Sequence, residues 1–170
     1  MTENLTIRSD KNINDRALLR KYEDDLNAGG TGVIIMGAWG IVRILIELFL
    51  NTKEFLNLDN DDPEYMIVGM VSAIVIIAVI SVVVINIHLY IGLNARRAAR
   101  GNDHKKGYFA AAIILAVISV LGLTTYINDI KDLYRLDTTL ASMLVDITSI
   151  YLYILVIVSS VRIKGIKKES

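Results

Sequence analysis

Four long apolar runs, separated by stretches rich in charge, dominate the pattern of this 170-residue chain. They cover about residues 31–50, 66–93, 108–127 and 140–161. A helix rises about 1.5 Å per residue, so roughly 20 apolar residues cross the ~30 Å hydrocarbon core of a bilayer. Since each run reaches that length, the pattern predicts four transmembrane spans.

The second run, MIVGMVSAIVIIAVISVVVINIHLYIGL, is so rich in Ile and Val that in water it would indicate a buried strand. In lipid, every backbone N–H and C=O must be satisfied within the segment or in a closed barrel. Barrel strands are about 10 residues long and alternate polar with apolar residues, which this run does not do. The predicted fold class is therefore an all-α integral membrane protein with a four-transmembrane-helix bundle.

A short amphipathic helix is predicted before the first span, over residues 10–27, because four apolar residues recur there on one helical face. They are Leu18, Leu19, Tyr22 and Leu26. We expect the glycines of AGGTG, residues 28–32, to end this helix and turn the chain into the membrane. The predicted organisation is a cytoplasmic N-terminal segment (1–30), a transmembrane domain (31–161) and a basic tail (162–170).

Composition supports a membrane class, with 54% hydrophobic residues and a single proline. The chain has no cysteine. Disulfides, thiolate chemistry and cysteine-based metal sites are therefore excluded, and no cofactor is predicted.

Basic residues are distributed unevenly among the segments that flank the spans. The N-terminal segment and the connection between the second and third spans hold five each, and the tail holds four, against three in the other two connections. Lys and Arg concentrate in cytoplasmic segments. Both termini and the middle connection are therefore predicted to be cytoplasmic, in a plasma membrane, and the compact loops favour a bacterial inner membrane.

The middle connection, NARRAARGNDHKKG, is a candidate contact for anionic lipid headgroups. Its basic residues are Arg96, Arg97, Arg100, Lys105 and Lys106. The alternative is that they serve only to set the topology. No aromatic residues are interleaved with them, so a nucleic-acid partner is not predicted.

Three ionisable residues within the spans need an explanation, because a charge at the bilayer centre costs roughly 3 kcal/mol on insertion scales. They are Arg43, Glu47 and Asp146. Arg43 and Asp146 fall about 10 Å and about 9 Å below the outer boundary. One hypothesis is a clamp in which Arg43 pairs with Glu47 on its own helix and with Asp146 on the fourth. The alternatives are a substrate or proton pathway, and snorkelling to the interface.

Further polar residues lie in the second and fourth spans. Ser149 and Tyr153 share a face with Asp146 at helical spacing, and Asn86 and His88 lie near the inner end of the second span. His88 could relay protons or sense pH. Alternatively, it hydrogen-bonds a neighbouring helix or reaches the headgroups. Metal binding is not predicted, since the spans contain no second histidine.

The functional classes that remain are not catalytic, because the sequence offers neither a nucleophile with a plausible base nor a cluster of metal ligands. The first is a multi-pass protein that acts through helix–helix or partner contacts as a scaffold, regulator or accessory subunit. The second is a small oligomeric channel or carrier that uses the polar cluster of the outer half. The predicted partners are the lipid bilayer and either a second copy or another membrane protein.

Overall fold

The computed structural model describes residues 2–50, 63–102, 105–124 and 136–169, and its regular elements there are all α-helices. They are α1 (Thr2–Leu50), α2 (Pro63–Ala99), α3 (Gly107–Leu123) and α4 (Leu136–Glu169). No strand occurs within these described ranges. The predicted all-α class is therefore confirmed.

Three of the helices contain stretches that are long and apolar enough to cross a membrane. The stretches are Ile13–Ile46, Ile67–Ala99 and Ser142–Lys168. The 17 residues of α3 are also apolar but extend only about 25 Å at about 1.5 Å per residue. The predicted third span, 108–127, continues past residue 124 into a part of the chain outside the described residues. These lengths indicate an integral membrane protein, whereas the fourth crossing and the orientation stay predictions.

The glycine-rich stretch at 28–32 does not end the first helix. α1 continues without interruption from Thr2 to Leu50, so the predicted break is wrong. A helical glycine costs about 1 kcal/mol relative to alanine, which is a preference that packing can outweigh. At Gly30 the missing side chain allows α1 to lie directly against the backbone of α2. The residues predicted as a separate amphipathic helix are thus the first part of α1, and their place on the membrane surface stays a prediction.

The chain forms two compact units. Unit 1 comprises Met1–Val33 and Tyr90–Ser170, and unit 2 comprises Ile34–Leu89. The main hydrophobic core lies in unit 1. Of the buried hydrophobic residues that the structure describes, only Ala73 and Ile77 belong to unit 2.

The core of unit 1 takes side chains from all four helices, and α3 packs along α4. Its residues with almost no exposed surface are Leu26, Val33, Ile91, Ala95, Tyr108, Ala112, Tyr153 and Val156. The alanines of α2 and α3 permit helix axes to approach closely, which is how helices gain contact energy in a membrane. Whether all four helices form one bundle along their whole length stays a prediction.

Large apolar side chains cover the outer surface of the helices. Val71, Ile76 and Val79 of α2 are each more than half exposed. An apolar patch of this extent is rare on a soluble monomer. In hydrocarbon it is the expected surface, because lipid tails are as apolar as these side chains.

Candidate functional site

Glycines on α1 allow close approaches to other helices in unit 1. A Cβ atom at Gly30 would lie only 2.8 Å from the backbone oxygen of Gly92 on α2. At Gly32, a Cβ would lie 2.6 Å from Cδ2 of Leu152 on α4. Backbone cannot rotate away as a leucine methyl can, so Gly30 is the stricter of the two positions. This part of α1 is therefore a packing surface for two other helices.

The basic connection after α2 begins with a tight turn rather than an open loop. Gly101 has φ 70°, and its N–H donates to the oxygen of Ala98 at 3.1 Å. The N–H of Asn102 donates to the oxygen of Arg97 at 3.0 Å. These two bonds and the left-handed glycine form a Schellman motif, which satisfies the last carbonyls of a helix.

Asn94 of α2 forms a hydrogen bond with the end of that connection that precedes α3. Its side chain is 6% exposed. Its Nδ2 donates to the oxygen of Tyr90 at 2.7 Å, and its Oδ1 accepts from the N–H of Lys105 at 3.0 Å. Both ends of a buried amide are thereby satisfied, as burial requires. The position of Lys105 is consequently fixed relative to α2.

The five basic residues predicted to contact lipid fall into two structural groups. Arg96 and Arg97 belong to the last turn of α2, where a cation also interacts favourably with the helix dipole. Arg97 is exposed, as are the three that follow the helix: Arg100, Lys105 and Lys106. Arg96 is partly buried. Four of the five are therefore accessible to headgroups, although contact with lipid stays a prediction.

Arg96 differs further because its Nε is buried without a hydrogen-bond partner among the described residues. Asn27 Oδ1 on α1 is in the same condition. One atom is a donor and the other an acceptor. Both residues belong to the α1–α2 contact region, since a Cβ at Gly30, one turn beyond Asn27, would lie 3.1 Å from Cγ of Arg96. In the described part of the chain, these are the two buried side-chain polar atoms that have no hydrogen-bond partner.

A buried hydrogen bond connects α3 to α4. The Tyr108 hydroxyl lies 2.8 Å from Ser160 Oγ, and these residues are 2% and 3% exposed. Ser160 Oγ also donates to the oxygen of Val156 at 2.7 Å. Since a serine hydroxyl has one proton, Tyr108 is the donor to Ser160. Sequence reasoning did not identify this pair.

The polar face predicted on α4 lies on its less exposed side. Ser142, Asp146 and Ser149 are partly buried, and Tyr153 is 3% exposed. Ser149 Oγ donates to the oxygen of Val145 at 3.0 Å. The same alternation of four and three residues continues through Val156 to Ser160, so this spacing could have revealed Ser160.

In unit 2, the two polar residues of α2 that were singled out from the sequence, Asn86 and His88, bond to their own helix. Asn86 Nδ2 donates to the oxygen of Val82 at 2.7 Å. His88 Nδ1 lies 2.8 Å from the oxygen of Val84, and since a carbonyl only accepts, this nitrogen carries the proton. His88 also packs against α1, because a Cβ at Gly37 would lie 2.5 Å from the His88 Cβ. The bond from Nδ1 goes to the same helix, so the predicted bond from His88 to a neighbouring helix stays a prediction.

The three predicted intramembrane charges do not all belong to the same unit. Arg43 is a partly buried residue of α1 in unit 2, and Asp146 is a partly buried residue of α4 in unit 1. Glu47 belongs to α1, but its side chain lies outside the described part of the structure. The clamp between these residues therefore stays a prediction.

Two cations near the end of α4 make contacts within unit 1. Lys164 Nζ lies 5.2 Å from the centre of the Phe109 ring, a cation–π distance. Lys167 Nζ lies 3.3 Å from Glu23 Oε1 of α1. The C-terminal part of α4 is thus joined to both α3 and α1.

Within the described ranges, no group of three or more His, Asp or Glu side chains lies close enough to hold a metal ion. No protein-family model, curated protein or solved structure matches the chain. Any functional conclusion must therefore come from the chain's own residues.

Proposed function

We propose that this chain is a non-catalytic multi-pass membrane protein that acts through its helix faces, as a scaffold, regulator or accessory subunit for a second copy or for another membrane protein. The observation that carries the proposal is the hydrogen bond between Tyr108 and Ser160. This bond joins α3 to α4 through two buried polar groups. Hydrogen bonds of this kind hold helices together in a membrane.

The polar residues elsewhere in the described part support the same function. Asn94 orders the connection between α2 and α3, and Asn86 satisfies a backbone carbonyl of its own helix. Groups engaged in this way maintain helix geometry. A solute path would instead need polar groups that are open to water along the depth of the membrane.

The proposed topology has four spans, with both termini and the turn at 100–106 in the cytoplasm of a bacterial cell. In this arrangement α1 to α4 form one bundle, and Arg43 pairs with Glu47 and Asp146 in its outer half. The clamp fixes the register of α1 against α4. It also removes charges from contact with lipid, where each would cost roughly 3 kcal/mol.

A small oligomeric channel or carrier is the second candidate. The observation in its favour is the partly buried row Ser142, Asp146 and Ser149, which continues to Tyr153 on one side of α4. An ionisable residue in such a row is typical of ion and proton paths.

Flux and stability measurements on liposome-reconstituted protein separate the two functions. The variants are Arg43→Gln, Asp146→Asn and the double variant. If the proposed function is correct, proton and K⁺ flux equal those of protein-free vesicles. Each single variant then lowers the unfolding temperature, and the double variant lowers it by less than the sum, because the second change removes a partner that is already lost.

The control is Thr148→Val, an exposed position of α4 whose hydroxyl bonds only to the oxygen of Leu144 on its own helix. It should change neither flux nor unfolding temperature. Wild-type flux that Asp146→Asn abolishes without changing the unfolding temperature would contradict the proposal and favour the channel. Additive effects of the two single variants would contradict the clamp.

A further inference from the structure

A groove of about 510 Å³ runs along the C-terminal part of α4 in unit 1. It is lined by Ile157, Val158, Val161, Arg162, Gly165 and Ile166. Its volume falls within the range of roughly 300–1,000 Å³ that is usual for small-molecule sites. Apart from Arg162, every lining residue is aliphatic or lacks a side chain. The groove therefore combines an apolar wall with one positive charge.

Arg162 is available to an anion from outside the chain. Its side chain is exposed, and no described carboxylate forms an ion pair with it. Two of the neighbouring cations contact other groups: Lys164 lies over the Phe109 ring, and Lys167 pairs with Glu23. Arg162 is thus the cation that the groove itself contributes.

Gly165 gives the groove its depth. A Cβ atom built there would meet no atom within 4 Å, so the position faces open space rather than another helix. This distinguishes Gly165 from Gly30 of α1, where a Cβ would meet backbone. Since no neighbour requires a glycine at 165, a larger side chain can fill the notch without disturbing the packing of unit 1.

The predicted fourth span ends at residue 161, which places Arg162 at headgroup level and Ile157, Val158 and Val161 beside acyl chains. A guanidinium binds phosphate oxygens in a planar, two-pronged geometry. We propose that this groove binds an anionic phospholipid from the leaflet around the C-terminal end of α4, with its phosphate on Arg162 and an acyl chain along the apolar wall. The site is separate from the basic residues that follow α2.

The chemistry favours a lipid over a second copy as the occupant. A second copy would have to bring a carboxylate to Arg162 and a complementary apolar ridge to the notch at Gly165. The bilayer supplies both the anion and the chain at this depth without further requirement. An anionic phospholipid has both an acyl chain and a phosphate, so one molecule can contact the apolar wall and Arg162 at the same time.

The test uses full-length protein in phosphatidylcholine vesicles with spin-labelled lipids, and measures the motionally restricted fraction of labelled phosphatidylglycerol against labelled phosphatidylcholine. Arg162→Gln should lower the preference for phosphatidylglycerol about fivefold, the factor associated with one cation at the membrane surface. Arg162→Lys should retain only part of it, because lysine keeps the positive charge but not the two-pronged geometry. Gly165→Leu should lower the restricted fraction of both lipids, because it fills the notch.

Lys168→Gln is the control, since it removes an exposed cation of α4 outside the groove. It should reduce the preference less than Arg162→Gln does. Circular dichroism and gel filtration of each variant establish that the fold is retained. An unchanged preference in Arg162→Gln, or one reduced equally by Lys168→Gln, would overturn the proposal. It would also be overturned if Gly165→Leu dissociated a dimer while leaving lipid binding unchanged, because the groove would then join two copies.

Discussion

Unit 1 and unit 2 hold their helices by different means. In unit 1, polar side chains bond between helices or across a turn: Tyr108 reaches Ser160, 52 residues later, and Asn94 reaches Lys105. In unit 2, Asn86 bonds to a carbonyl four residues earlier on the same helix, and His88 Nδ1 does the same while the residue also packs against α1. A bond within one helix stabilises that helix but does nothing to hold it against another.

More of the described residues are buried in unit 1 than in unit 2. Unit 1 contains a core drawn from four helices, whereas the described part of unit 2 buries Ala73 and Ile77. In lipid there is no hydrophobic driving force between helices, so dispersion contacts and interhelical hydrogen bonds must supply the association energy. We therefore expect unit 1 to be the more stable part of the chain, and unit 2 to open locally at a lower free energy.

The largest effect is expected at Gly30 in unit 1. Gly30→Ala places a Cβ 2.8 Å from the Gly92 oxygen, and backbone must move to admit it. Overpacking of this kind costs about 1–3 kcal/mol, and alanine returns about 1 kcal/mol of helix propensity. We expect a net loss of up to about 2 kcal/mol in the free energy of unfolding, measured by denaturant titration in micelles.

Gly122→Ala in α3 is the control, because its Cβ would meet nothing within 4 Å. It should leave stability unchanged or raise it by up to about 1 kcal/mol. Hydrogen exchange should rise in the peptide covering residues 90–99 of the Gly30 variant. Unchanged stability and exchange in that variant would show that the α1–α2 contact in unit 1 is not tightly packed.

The helices themselves were predictable because the bilayer leaves few alternatives. Apolar runs of span length must be helical in lipid, so α2 was assigned correctly despite its Ile- and Val-rich composition. The continuation of α1 through the glycines at 28–32 could not be predicted in this way. Local propensity alone predicts a break at Gly30, and only the neighbour at Gly92 explains why the helix continues.

The polar sites were predictable to the extent that they follow helical spacing. The row containing Asp146, Ser149 and Tyr153 follows from periodicity, and the structure places it on the less exposed side of α4. The identity of the residue that bonds to Tyr108 does not follow from periodicity. Spacing within one helix gives no information about which helix lies opposite. The bond from Asn94 to Lys105 depends on a turn geometry that Gly101 creates.

A smaller effect is expected at Gly37 in unit 2, where a Cβ would lie 2.5 Å from the His88 Cβ. With little buried area holding α1 and α2 together here, the helices can separate slightly, so we expect Gly37→Ala to cost about 1 kcal/mol. Gly40→Ala, whose Cβ would lie 4.0 Å from Val84 Cγ1, is the control.

Gly37→Ala combined with His88→Gly should cost less than the sum of the two single variants, because the glycine on α2 then leaves room for the new Cβ on α1. Denaturant titration of the three variants in micelles gives the free energies. If Gly37→Ala costs as much as Gly30→Ala, the two units are packed equally tightly, and the contrast between them fails.

The smallest effect is expected from the hydrogen bond that distinguishes unit 1. Ser160→Ala removes the hydroxyl that accepts from Tyr108, so we expect a loss of about 0.6 kcal/mol in the free energy of unfolding, the average for a hydrogen bond between membrane helices. Tyr108→Phe should cost about half as much, because Ser160 still donates to Val156 and no buried donor is left unsatisfied.

The corresponding change in unit 2 is Asn86→Leu, which removes a bond within one helix and exposes an apolar group to lipid. It should be neutral or slightly stabilising, since no helix contact depends on it. Both changes in the free energy of unfolding are measured in the same micelles. The difference between Ser160→Ala and Asn86→Leu then gives the contribution of a polar bond between two helices relative to one within a single helix. A loss at Asn86 equal to that at Ser160 would mean that polar bonds stabilise both units alike, and the greater stability of unit 1 would then have to come from burial alone.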